Sequence, residues 1–164
     1  MNTADRSPTT RGRRASARPN HELPIEDYLC LALYTASRAM TGLYRELLDE
    51  LDLTYPQYLV MELLWQHGAV PVKDIGATLA LDYGTLSPLL KRLEARGLIR
   101  RTRRSDDERL LEITVTDVGE AMRQRAKRVP AEVSRATGLD ERANEQLRAT
   151  LRQLTNAVNA AASY

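Results

Sequence analysis

ALDYGTLSPLLKRLEARGLIRR, residues 80–101, carries a helix signal, a stop signal and the start of a charge block. Leu86, Leu89, Leu90 and Leu93 fall within about 100° of one another on a helical wheel, which makes one apolar face. The opposite face presents Gly84, Ser87, Pro88, Lys91 and Ala95, with Thr85 and Arg92 on its margins. A proline deep inside a helix removes a hydrogen bond and crowds the preceding turn. The helix is therefore predicted to begin at about Tyr83 to Thr85, leaving Pro88 near its first turn, and to close at Gly97. Such a helix fits a DNA major groove, where its early residues reach base edges and longer cations hold phosphates. Thr85, Ser87 and Arg92 are expected there with Lys91, and Tyr83 against the backbone.

The flanks on both sides agree with this reading. Downstream, Leu98 to Arg103, then RSDDER, then Leu110 to Thr116 reads as a β-hairpin with a polar tip. Asp107 and Arg109 are two apart, hence on one side of an extended strand. The carboxylate can brace the guanidinium and aim it at a minor groove, which attracts arginine. Upstream, Thr54 and Gln57 have the spacing of a capping box, with Pro56 in the first turn. The apolar run LVMELLW follows, and His67-Gly68 stops it. Val70 to Val72 is a candidate short strand, and Lys73 to about Leu79 a short helix with Ile75 and Leu79 inward. Two short helices followed by an arginine-flanked hairpin form a winged helix-turn-helix over residues 54–116.

Residues 1–22 read as a disordered basic arm, polar and without apolar period. From Pro24, suited to a first helical position, Ile25, Leu29, Ala32, Ala36, Met40, Leu43, Leu47 and Leu51 recur at helical steps. That helix is long for a small domain, which implies packing beyond its own chain's core. Thr116 caps a helix expected to run to about Ala136, bent by Pro130. Asp140 caps a last amphipathic helix through Leu147, Leu151, Leu154 and Val158. The fold class expected is mainly α with a small β-hairpin wing.

Composition sets the outer limits. The 164 residues are 43% hydrophobic and 28% charged, with no phenylalanine, so Leu, Ala, Val and Ile must build the core. The polar N-terminus has no apolar run of the kind a signal peptide needs. No stretch reaches the roughly 18 apolar residues of a membrane span. One cysteine, Cys30, cannot form an internal disulfide, which points to a reducing, cytoplasmic compartment. With only His21 and His67 beside it, a structural zinc site is not expected, and no other metal or cofactor is implied. The net charge of +2 hides an uneven distribution. Arg6, Arg11, Arg13, Arg14 and Arg18 against Asp5 give the first twenty residues +4, and the remaining 144 sum to −2. Lys91, Arg92, Arg96, Arg100, Arg101, Arg103 and Arg104 crowd one segment around a single acid, Glu94. A basic block on a slightly acidic body suggests a localised anionic partner.

The runs LTYPQYLVMELLW and LDYGTLSPLLKRLEARGLIRRTRRSDDERLLEITVTDVG, with DER at the hairpin tip, resemble the MarR family of winged-helix regulators over roughly residues 24 to 160. The resemblance implies a homodimer interlocked by N- and C-terminal helices, here residues 23–53 and 117–162. It also implies a pseudo-palindromic double-stranded operator, its half-sites about one helical turn apart. LCLALYTASRAMTGLY with LTYPQY is similar, more narrowly, to the organic hydroperoxide regulators (OhrR) of that family. Their peroxide-sensing cysteine falls on Cys30, and Tyr34 and Tyr44 match tyrosines that hydrogen-bond it. The resemblance thus implies a repressor, not an enzyme, that leaves DNA when an organic hydroperoxide oxidises Cys30.

Geometry adds a condition. Tyr34 is one turn from Cys30. Tyr44 is fourteen residues on, about 21 Å along a straight helix at 1.5 Å per residue. It can serve the thiol only from a partner whose first helix crosses antiparallel. If the helix starts at Pro24, Cys30 lies nearly two turns in, where the helix dipole has faded. Tyrosine hydroxyls would then supply most of the support for a thiolate. Some relatives carry a second, resolving cysteine, and this chain has none. Oxidised Cys30 would need an external low-molecular-weight thiol or would over-oxidise. The alternative is a MarR-type repressor answering a small aromatic ligand, with Cys30 as packing only. A thiol peroxidase fits less well, having neither a second cysteine nor use for a basic head.

Overall fold

A computed structural model describes residues 24–103 and 111–162. The basic arm and the hairpin tip with Asp107 and Arg109 lie outside the described residues. The chain divides into two compact units, Met1–Arg38 and Ala39–Tyr164.

The first helix corrects the sequence expectation. Pro24 opens only a 3-10 turn, Ile25–Asp27, and Tyr28 then adopts an extended conformation at ψ 126. The α-helix α1 spans Leu29–Leu48, and only Leu48 on it is buried. A second 3-10 turn, Asp49–Leu51, ends at Asp52 in the left-handed region (φ 50).

Helix α2, Tyr55–His67, is capped as its sequence requires. The Thr54 amide donates to Gln57 Oε1 at 2.9 Å, and the reciprocal half of the capping box is also present. Its Gly68 stop follows at φ 76, a conformation that costs glycine little. Strand β1 is two residues long, Val70–Pro71, and α3 spans Val72–Leu79 with Ile75 fully buried. Helix α4, Tyr83–Ala95, begins where predicted, but Pro88 sits in its second turn rather than its first. The residue four back is Gly84, which is exposed, so water can take its orphaned carbonyl.

Strands β2, Ile99–Arg103, and β3, Leu111–Val115, pair antiparallel, with Arg101 opposite Ile113. β1 adds to the other edge of β3, so the wing is a three-stranded sheet in the order β1-β3-β2. Thr116 caps α5, Asp117–Ala126, by accepting from the Gly119 amide. The expected bent helix is two helices: α5 stops at Ala126, and α6 spans Val129–Thr137 with Pro130 in its first turn. Continuing through Pro130 would leave the Ala126 carbonyl unbonded and crowded by the ring, so the chain restarts instead. Asp140 then caps α7, Glu141–Ala162, by accepting from Ala143.

The core joins α2, α4 and the sheet. Met61, Leu64, Ile75, Leu90, Leu93 and Ile113 are among its fully buried side chains. Helix α7 buries no residue, and Leu147 and Val158 are 46% and 56% exposed.

Candidate nucleic-acid interface and thiol site

Helix α4 turns its leucines inward and leaves the predicted DNA residues at the surface. Tyr83 is 70% exposed, Thr85, Lys91 and Arg92 are exposed, and Ser87 is half-buried. Asp82, unnoticed in the sequence, caps the helix. Its carboxylate accepts from the Thr85 amide at 2.8 Å and from the Thr85 hydroxyl at 2.9 Å. The backbone hydrogen bond from Thr85 leads the causes holding the Asp82 carboxyl below its usual range. The hydroxyl proton of Thr85 is thus committed, and its oxygen is left to accept from a base edge. The signal was in the letters: Asp82 precedes Thr85 by the spacing that made Thr54 and Gln57 a capping box.

Two members of the basic block belong to the fold rather than to a phosphate surface. Arg96 donates to the Leu51 carbonyl at 3.1 Å and to that of Asp52, and pairs with the Asp52 carboxylate at 3.3 Å. Arg101 Nε lies 2.9 Å from Glu94 Oε2. Lys91, Arg92 and Arg100 remain exposed.

The thiol side is built differently from the sequence expectation. Cys30 is the second residue of α1, not two turns in, and it is exposed. The Leu31 and Ala32 amides bond the Tyr28 carbonyl at 3.1 and 3.2 Å, and the helix dipole favours negative charge at this end. Leu29 and Leu33 are 60% and 37% exposed. Tyr34 keeps its own proton to give, because its hydroxyl accepts from Arg38 Nη1 at 3.4 Å while that guanidinium lies 5.7 Å from the ring centroid.

Tyr44 is stacked on Tyr55, the first residue of α2, with ring centroids 3.9 Å apart at 15°. Tyr58 lies 5.8 Å from Tyr44 and meets Trp65 edge-on at 6.3 Å. Burial, then the charge of Tyr55 and a hydrogen bond to it, push Tyr44 up to about 12. Burial raises Tyr55 too, partly offset by the hydrogen bond from Tyr44. The sequence alone gives Tyr55 no role, because its partnership with Tyr44 is a tertiary contact. A groove of about 750 Å³ opens beside this pair, lined by Arg45, Tyr55, Arg92 and Arg96 among others. Among the described residues there is no metal-binding cluster and no helix long and apolar enough to cross a membrane.

A wing beside an outward-facing, cation-bearing helix defines a winged helix-turn-helix transcriptional regulator, not an enzyme. The chain belongs to the MarR family, whose model matches residues 53–111. It is 44% identical over 126 residues to the organic hydroperoxide resistance transcriptional regulator of Bacillus subtilis (strain 168), covering 77% of this chain and 84% of that one. AbfR of Staphylococcus epidermidis is 34% identical, with a TM-score of 0.66 over 78% of this chain and 91% of that chain. Reduced AbfR bound to DNA is similar at 31% identity and a TM-score of 0.62, over 80% of this chain and 90% of that one.

Proposed function

We propose that the protein is a cytoplasmic homodimeric repressor that holds a pseudo-palindromic operator and releases it when an organic hydroperoxide oxidises Cys30. The observation that carries this reading is the position of Cys30: the chain's single thiol, exposed in the first turn of α1 with exposed leucines beside it. Those leucines suit an alkyl or aryl peroxide better than a small hydrophilic one. The thiolate attacks one peroxide oxygen, the O–O bond breaks, and an alcohol leaves, giving Cys30 sulfenic acid. An external low-molecular-weight thiol then condenses with it, losing water, to form a mixed disulfide.

Tyr44 acts from the partner copy, and Tyr55 acts with it. Tyr44 holds its proton until about pH 12 and gives it to Tyr55, so the Tyr55 hydroxyl is the donor this stacked pair presents to the thiolate, with Tyr44 orienting it. Tyr34 donates from the thiol's own helix. On the DNA side, Thr85 and Ser87 face base edges, while Tyr83, Lys91 and Arg92 face the backbone, and Asp107 and Arg109 the minor groove.

A gel-shift titration on an operator, with and without an organic hydroperoxide, tests the reading. Wild type should release DNA on oxidation, and Cys30→Ser should bind equally well and ignore peroxide. A Cys30→Ser protein still released by peroxide would end it. The groove beside Tyr55 favours a second reading, a repressor released by a small aromatic acid held by Arg45 and Arg92. An aromatic acid that releases wild type and Cys30→Ser alike, with peroxide inert on both, selects that reading.

A further inference from the structure

The acid inside the basic block asks for an explanation. Glu94 lies on the DNA-reading helix among seven cations between Lys91 and Arg104, and a carboxylate there repels phosphates. Its position on α4 accounts for it. On β2, Arg100 and Thr102 are exposed, while Ile99 and Arg101 face the interior side. Arg101 stands opposite the fully buried Ile113. Its Nε is wholly buried and lacks an in-line hydrogen-bond acceptor, so the 2.9 Å contact with Glu94 Oε2 is ionic. Its Nη2 donates to the Ser87 carbonyl at 3.4 Å. One guanidinium therefore grips α4 at two points about two turns apart.

From this geometry we propose that Glu94 and Arg101 are positioning residues for operator reading: the pair fixes the angle between the recognition helix and the wing. This rests on the DNA-binding reading above. Beyond Arg101, β2 continues to Arg103, the last described residue before the expected hairpin tip. A wing pinned to α4 two residues before the end of its strand approaches the minor groove at a set distance from the major-groove contacts. A loose wing loses that registration, and with it discrimination of sequence, while the phosphate contacts persist.

Electrostatics and bracing predict opposite signs for Glu94→Ala. Deleting a negative charge beside DNA should tighten binding if charge alone matters. If the brace matters, affinity for the preferred duplex falls although the protein has become more cationic. The test uses the full-length protein and duplexes enriched by wild type from a random pool. Glu94→Ala should lose about tenfold in the ratio of affinities for enriched over scrambled duplex, with the slope of affinity against salt unchanged. Glu94→Arg combined with Arg101→Glu should recover most of the ratio at unaltered net charge. Should Glu94→Ala fold poorly, Glu94→Gln, which keeps an acceptor without the charge, carries the same expectation at smaller size. Glu94→Ala that binds the enriched duplex as tightly as wild type, or more tightly, overturns the brace and leaves the DNA-binding reading standing. Wild type that enriches no duplex at all overturns both.

Discussion

At the scale of single residues, the proposed function gives the tyrosine pair the task of supporting the thiolate. A thiolate is stabilised by donors, and a hydrogen bond to a charged group contributes about 1.5–3 kcal/mol. Tyr55→Phe should therefore slow the reaction of Cys30 with an organic hydroperoxide about tenfold or more, read as the rate at which the protein becomes refractory to alkylation. An unchanged rate would remove Tyr55 from the sensor and leave it a packing residue. The pair also predicts an alkaline limit. Folding raises Tyr44 from 10.0 to about 12, and raises Tyr55 and Tyr58 in the same direction. A raised value means that the native state holds the proton more tightly. Its contribution is complete below about pH 10 and drains away as pH climbs through about 12. Tyrosinate absorbance of the native protein should thus lag that of the unfolded chain, and Tyr44→Phe should shrink the lag. In the sequence, Cys30 stands out by its solitude and Tyr44 by its phase with it, while the stack of Tyr44 on Tyr55 leaves no mark, because a contact across two helices has no period. Asp82 was legible in principle, as a cap with its acceptor three residues ahead of Thr85.

At the scale of elements, three helix starts declared themselves through side-chain caps, and the two misread starts, of α1 and α6, lacked them. Thr54, Thr116 and Asp140 each receive the amide their spacing promises. Pro24 has no side-chain acceptor, so the chain made a 3-10 turn and started α1 only after Tyr28. That shift of one turn moves Cys30 from a faded dipole into an active one. Pro130 and Pro88 meet the same constraint with opposite results: the chain restarts at α6 before Pro130, whereas α4 runs through Pro88 with the exposed Gly84 four back. Helix α4 should in turn feel acid. Its cap, Asp82, is held below the ordinary carboxylate range, so the cap is in place above the unfolded value and is lost as pH falls through the folded one. Operator affinity should weaken in that acidic window, and less so for Asp82→Asn, which does not titrate. An identical acid profile for the two proteins would exclude the cap as the cause. The junction of α5 with the sheet is tighter still. A Cβ at Gly119 would collide with the Leu98 carbonyl and lie 2.7 Å from Val115 Cγ1, and Trp65 Nε1 donates to the Gly119 carbonyl at 3.1 Å. Gly119→Ala should cost about 1–3 kcal/mol in a denaturant titration, with Trp65 fluorescence reporting the displaced indole. A loss within error of zero would mean that the sheet yields freely there.

At the scale of the whole molecule, the apolar surface exceeds what one chain covers. Helix α7 buries nothing, and its stripe of Leu147, Leu151, Leu154 and Val158 stands half-buried or exposed along one side. On α1, Leu29 and Leu33 are likewise uncovered. These stripes were visible in the sequence as helical periods, whereas what covers them was not, because period is blind to which chain supplies the partner. A second copy meets the requirement, since each copy offers the same stripes, and in the proposed function each head then reads one half-site. A charge placed in the α7 stripe should separate the copies, because an unpaired carboxylate buried at an apolar interface costs several kcal/mol. Leu151→Glu should therefore sediment as a monomer at concentrations where wild type is a dimer. It should also keep a folded head, as the cores of α2, α4 and the sheet do not involve that side chain. Operator affinity should fall far more than twofold, because tethered heads see one another at about millimolar effective concentration, and separated heads do not. A Leu151→Glu protein that remains dimeric would show that α7 does not form the seam.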